Sequence, residues 1–190
     1  MTDTLRIGPL APEDREPRTA ELLTAMRGGF DGDDLNLFAT LAHHPRLLKR
    51  WSSFGGTLLF RGALSARDRE LLILRTAAIT GAEYEWGHHV ELALAAGLSR
   101  DEIDRVYAGP DRPGWSTDDA ALLQAADELH HEQRISDATW TALAGRLDVE
   151  QLVEVPMLVG QYHLVAFTLR SLGVQPEPGV VGFPTTDTAP

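Results

Sequence analysis

The sequence predicts an all-α protein, and three observations carry that prediction. Apolar residues recur at helical spacing through most of the 190-residue chain, between recognisable N-cap and C-cap signatures. No segment shows the period-2 alternation of a half-buried strand. The chain contains no cysteine, so no disulfide framework or thiolate metal site competes with a simple helical core. The length suits one domain, expected over residues 18–173, with an extended arm at 1–17 and a proline-rich tail at 174–190.

Each element has its own local reason. Pro9, Pro12 and Pro17 keep the first residues extended. Thr19 to Arg27 reads as a first helix, stopped by Gly28-Gly29. Asp34 to Ala42 follows, and Pro45 then sits at a favoured first-turn position for a helix to about Phe60. Ser65 with Asp68 is an N-cap signature for the next helix, whose core run is Leu71, Leu72, Leu74, Ala77 and Ala78. Gly81 ends it. A helix over the following residues ends at Gly97, and Ser99 with Glu102 forms a capping box for a short helix to Ala108. The run Gly109 to Gly114 is a loop. Thr117, Asp118 and Asp119 open a helix to about Gln133, and Ser136 opens another to Gly145. Asp148 with Gln151 opens a long helix to Leu172, expected to bend near Pro156 and to close at Gly173. Pro176, Pro178, Pro184 and Pro190 make the tail extended or disordered.

The net charge of −11 and pI near 5.0 argue against nucleic acid or an anionic membrane as partner. Neither a secretory signal nor an uninterrupted apolar stretch of roughly 18 residues is visible, so a cytoplasmic location is expected.

The segment Gly81-Ala82-Glu83-Tyr84-Glu85-Trp86-Gly87-His88-His89 is the richest in chemistry. On a helix, Glu85 and His89 lie one turn apart on a single face. A carboxylate in that position can share a proton with the imidazole, orient it, or join it on a metal. A solvated ion pair on a helix surface has the same spacing. Buried among Tyr84 and Trp86, Glu85 would have a raised pKa and exchange protons near neutrality. Glu70 precedes an apolar run and needs a partner if it points inward, with Arg75, His88 and His89 as candidates. Tyr162 and His163 lie on the last apolar helix, where the phenol could bind a substrate oxygen. His43-His44 and His130-His131 read as pairs at helix ends. Glu85, His88, His89 and His163 are nitrogen and oxygen donors, but no HExxH pattern accompanies them, so no metal is expected.

These residues carry a resemblance. Leu64-Ser65-Ala66-Arg67-Asp68-Arg69-Glu70-Leu71-Leu72-Ile73-Leu74, Glu83 to His89, and Ala95-Ala96-Gly97-Leu98-Ser99 with Asp101-Glu102-Ile103 resemble the carboxymuconolactone decarboxylase family, which includes the alkyl hydroperoxidase D-like proteins. The similarity spans Leu64 to Gly173. In the peroxidase branch, Glu70 and His89 fall on the family's glutamate and histidine, while Ala82 and Glu85 take the positions of its two cysteines. Thiol peroxidase chemistry needs those thiols, so that activity is not expected. The decarboxylase branch has a glutamate four residues before a histidine, matching Glu85 and His89. The resemblance implies an all-helical, homo-oligomeric protein (a dimer, trimer or hexamer) with pockets near subunit contacts.

The expectation is then a cofactor-free lyase acting on a small carboxylated, lactone or polyketide-like molecule by proton transfer at carbon. His89 would be the acid–base group, Glu85 its partner, and Glu70 the orienting carboxylate. Tyr84, Trp86, His88, Tyr162 and His163 would line the pocket, with Arg75 as the cation for a carboxylate. A mutually hydrogen-bonded Glu70–His89–Glu85 set facing an empty cavity favours this enzyme. The same residues facing solvent, or a cavity filled by side chains, favour the alternative, a hydroperoxidase-fold oligomer that serves as a binding or scaffold protein.

Overall fold

The computed structural model describes residues 4–27 and 33–185, which form nine α-helices and no strand. In order they are α1 Pro17–Met26, α2 Asn36–Leu41, α3 Pro45–Phe60, α4 Ala66–Thr80, α5 Glu83–Ala95, α6 Arg100–Ala108, α7 Thr117–Glu132, α8 Asp137–Ala144 and α9 Val149–Leu172. A short 3-10 turn, Pro12–Asp14, precedes them.

Local chemistry sets the boundaries. The Ser65 side chain accepts from the Asp68 amide at the start of α4, and reciprocal capping boxes at Ser99/Glu102 and Asp148/Gln151 open α6 and α9. Helix α2 is shorter than the expected Asp34–Ala42 because Leu35 is extended and the Asp34 carboxylate is held by Arg15 at 2.6 Å. The expected Gly28-Gly29 stop and the Thr/Asp run at 186–189, with Pro190, lie outside the described residues.

Leu71, Leu72, Ile73 and Leu74 are all fully buried, which requires α4 to be covered on every side. Helices α5, α6, α7 and α9 supply that cover. Arginines on α4 fix its neighbours: Arg67 binds Glu102 at 2.6 Å and Asp119 at 3.0 Å, joining α6 and α7. Arg75 binds both Asp127 oxygens at 2.6 and 2.8 Å and donates to the Val106 and Tyr107 carbonyls. Replacing Arg75 by Ala is expected to cost about 2–4 kcal/mol in urea unfolding, since it leaves Asp127 and two carbonyls short of a donor.

Helix α9 runs unbroken through Pro156. By length and composition it could cross a membrane, contrary to the expectation from uninterrupted runs; Gln161 and His163 break the run without lowering the average enough. One side is core, with Val155, Leu158, Val159, Val165, Ala166 and Leu169 buried, so half of the helix is enclosed. The other side exposes Val149, Val153, Met157, Leu164 and Phe167.

The segment after α9 differs from the expected disordered tail. Residues 174–185 fold back as a strap along α5. Glu177 accepts from the Asn36 amide at 2.6 Å and the Tyr84 hydroxyl at 2.9 Å, and pairs with His88 Nε2 at 2.6 Å. Phe183 packs on Trp86 and Tyr107. Gly87 makes this possible: a Cβ there would meet the Val180 side chain and the Val181 carbonyl. At the far end of α9, Gly173 (φ +69°) is C-cap, and the residue 4–7 backbone crosses it closely, with the Arg6 amide on Leu172 O at 2.9 Å.

Burial alone would raise the Glu177 pKa, but the bonds from His88, the Asn36 amide and Tyr84 outweigh it and bring the pKa down from 4.5 to about 2. A carboxylate depressed on folding adds stability that is complete above its unfolded pKa and is lost as pH falls through the folded one. The strap is therefore expected to loosen between about pH 4.5 and pH 2, read by amide exchange of residues 174–185, and Glu177→Gln should remove that dependence.

Candidate functional site

Helices α4, α5 and α9 each contribute to one buried polar cluster. From α4 comes Glu70, fully buried; from α5 come Glu85 and His89, 2% and 7% exposed; from α9 comes Tyr162, 7% exposed. His89 Nδ1 lies 2.7 Å from Glu70 Oε2. A carboxylate can only accept, so with Glu70 ionised Nδ1 is the donor and Nε2 is the nitrogen turned away from Glu70. Glu70 Oε1 accepts from Arg69 Nε at 3.0 Å. The Tyr162 ring meets the His89 imidazole edge-on, centroids 5.0 Å apart, and its hydroxyl makes no hydrogen bond among the described residues.

Glu85 departs from the expected three-membered set. Both of its carboxylate oxygens are buried and neither has a partner among the described residues. Burial therefore pushes its pKa well above the ordinary carboxylate value, which favours a protonated carboxyl. The Tyr162 phenol is also pushed up, by burial first and then by the Glu85 and Glu70 charges. The cluster thus holds one bonded carboxylate–imidazole pair and one acid kept neutral by its surroundings. That is the division of states acid–base work requires.

The other expected residues lie elsewhere. Tyr84 and His88 belong to the strap: the Tyr84 hydroxyl accepts from the Leu37 amide and donates to Glu177, and its ring stacks on His88 at 4.5 Å. Trp86 is core, 1% exposed against Tyr107 and Phe183. His163 bonds His130 Nδ1 through Nε2 at 2.9 Å and the Val159 carbonyl through Nδ1 at 2.8 Å, so both ring nitrogens are engaged away from Glu70, Glu85 and His89. Burial first, then the His163 and His131 charges, lower the His130 pKa. Arg75, expected as the cation for a carboxylate, is occupied by Asp127. Arg69 takes the place at Glu70 instead. The signal available in the sequence was Glu70's need for a counter-charge beside an imidazole that is neutral when unprotonated.

The buried glutamate–histidine pair and the isolated second glutamate sit on a cysteine-free helical scaffold. Residues 45–128 match the Carboxymuconolactone decarboxylase family model, and the cysteine-free chain has an alkyl hydroperoxidase D-like helical fold. The match begins at the first residue of α3 and ends within α7, so Glu70, Glu85 and His89 lie inside it and Tyr162 outside. No curated protein matches the chain. Among solved structures, it is similar to the AhpD core of an uncharacterised peroxidase-related protein from Ralstonia eutropha JMP134 (16% identity, TM-score 0.77, covering 92% of this chain and 95% of that one). It is also similar to a peroxidase-related protein from Silicibacter sp. TM1040 (12%, TM-score 0.79, 94% and 94%). A third is a cysteine-to-alanine variant of the debrominase Bmp8 in complex with 2,3,4-tribromopyrrole (14%, TM-score 0.76, 94% and 95%).

Proposed function

We propose that the protein is a cofactor-independent enzyme that moves protons at a carbon atom of a small carboxylated, lactone or polyketide-like molecule, with decarboxylation, isomerisation or ring rearrangement as the outcome. The buried, unpartnered Glu85 carboxyl one turn from His89 carries the reading. An unsatisfied acid costs folding free energy, and such groups persist where chemistry needs them. The family match at these residues and the occurrence of a debrominase on the same fold support a catalytic rather than an inert site.

In a decarboxylation, the carbon–carboxyl bond breaks, carbon dioxide leaves, and the electron pair stays on carbon as an enolate. Glu85, protonated, delivers the proton to that carbon. His89 Nε2 takes a proton from solvent and restores the Glu85 acid, while Glu70 accepts the Nδ1 hydrogen bond throughout. In an isomerisation, His89 Nε2 removes the proton and Glu85 returns one to another carbon. Exclusion of water by α9 and Tyr162 favours loss of charge in either case. The exposed apolar side of α9 with Phe54 and Phe60 of α3 supports assembly as a homo-oligomer.

The test is deuterium incorporation from D₂O into a panel of β-keto acids and lactones, followed by NMR. Wild type should label the carbon next to the carbonyl, and Glu85→Gln and His89→Gln should each lower the rate by about 10²-fold or more. Equal labelling by wild type and both variants, or none by wild type, would replace this reading with the binding or scaffold oligomer.

A further inference from the structure

We propose that Arg69 recognises the substrate's anion, so that the molecule this site takes is a carboxylate and not a neutral lactone or ester. The proposal rests on the acid–base reading of the Glu85–His89 cluster and narrows its substrate class.

The three arginines of α4 are used differently. Arg67 is bound to Glu102 and Asp119, and Arg75 to both oxygens of Asp127 and to two carbonyls. Arg69 makes one hydrogen bond, from Nε to Glu70 Oε1 at 3.0 Å, and its two Nη groups make none among the described residues. Its side chain is 18% exposed, while the carboxylate that anchors it is 0% exposed. A guanidinium held at Nε is fixed in plane and still offers the Nη1–Nη2 fork, whose geometry matches a carboxylate bidentately.

The charges of the cluster leave room for an anion. Glu70 already has Arg69 and His89 as partners, so its charge is countered within the cluster. Glu85, kept protonated by burial, adds no repulsion and can donate. The Tyr162 ring meets the His89 imidazole edge-on, and its hydroxyl makes no hydrogen bond among the described residues, so it remains a neutral donor of the cluster. On a chain of net charge −11, an approaching anion meets a repelling field, so a local cation with free donors decides whether it binds. A neutral ester would leave the guanidinium fork half used.

The experiment follows the ring resonances of His89, assigned through His89→Gln, while benzoate, phenylacetate and hexanoate are each titrated against their amides. In wild type the carboxylates should shift His89 saturably, and the amides should not. Arg69→Gln should weaken carboxylate binding at least tenfold, and Arg69→Lys, which keeps the charge but loses the fork, should fall between. Amides that shift His89 as the acids do, acids that bind Arg69→Gln and Arg69→Lys like wild type, or no carboxylate that reaches His89 would each overturn the assignment. Carboxylate binding independent of Arg69 alongside Glu85-dependent deuterium exchange would sink this proposal and leave the acid–base reading standing. Arg69-dependent binding without any exchange would do the reverse.

Discussion

Replacing Glu70 by alanine is expected to destabilise the domain by about 3–5 kcal/mol, the range found when one member of a buried charged set is removed. Glu70 is fully buried and serves two partners, His89 Nδ1 at 2.7 Å and Arg69 Nε at 3.0 Å. Without it the imidazole N–H loses its acceptor, and the guanidinium loses the anion that holds it inward. Glu70→Gln should cost less, because its amide oxygen still accepts one hydrogen bond, but it no longer offsets Arg69. Equilibrium urea unfolding separates these cases. A Glu70→Ala loss under about 1 kcal/mol would mean that water reaches the pair in solution. Any activity should fall in both variants, since the tautomer with Nδ1 as donor depends on an ionised Glu70.

Glu85→Leu should act in the opposite direction, stabilising the protein by about 1–3 kcal/mol while abolishing proton transfer. Neither Glu85 oxygen has a partner among the described residues, so an apolar side chain of similar size removes a polar group that costs free energy and leaves no partner stranded. The pH dependence has a definite sign. Because the folded pKa of Glu85 lies above the unfolded one, the native state binds the extra proton. Stability from this group is therefore complete below the ordinary carboxylate pKa and declines as pH rises through the folded value, at up to about 1.4 kcal/mol per pH unit. Glu85→Gln should flatten that decline above about pH 4.5, observable as convergence of wild-type and variant melting temperatures in acid and divergence near neutrality. Parallel curves across this range would place water at the carboxyl group.

The helices were legible in the sequence because their signals are local. Ser65, Ser99 and Asp148 each satisfy an amide three residues away, and Gly81 and Gly173 end helices by adopting positive φ. The Glu70–His89 contact was also legible, as one of three partners open to an inward-facing carboxylate. What was not legible depends on elements distant in sequence. Arg69 and Arg75 look equivalent on α4 until Asp127, brought up by α7, engages Arg75 at 2.6 Å. His163 looked like a site residue until His130 on α7 supplied its partner. The proline-rich strap has the composition of a disordered tail, and one carboxylate, Glu177, reverses that reading by meeting Asn36, Tyr84 and His88, all at least 89 positions away. Glu85 shows a third kind of limit. Its spacing to His89 suggested a bonded pair, yet on α5 the imidazole turns to Glu70 and leaves the carboxyl alone.

The strap also imposes an order on how the molecule is made. Residues 174–185 leave the ribosome after all nine described helices have emerged, so α5 must settle against α4 while the Phe183 face of Trp86 and Tyr107 is still bare. Until Phe183 and Glu177 arrive, the nascent chain presents an aromatic surface, an amide at Asn36 and a phenol at Tyr84 with no acceptor from the strap. An interval of that kind is where a chaperone finds its client or neighbouring chains stick together, and pausing translation near residue 173 would lengthen it.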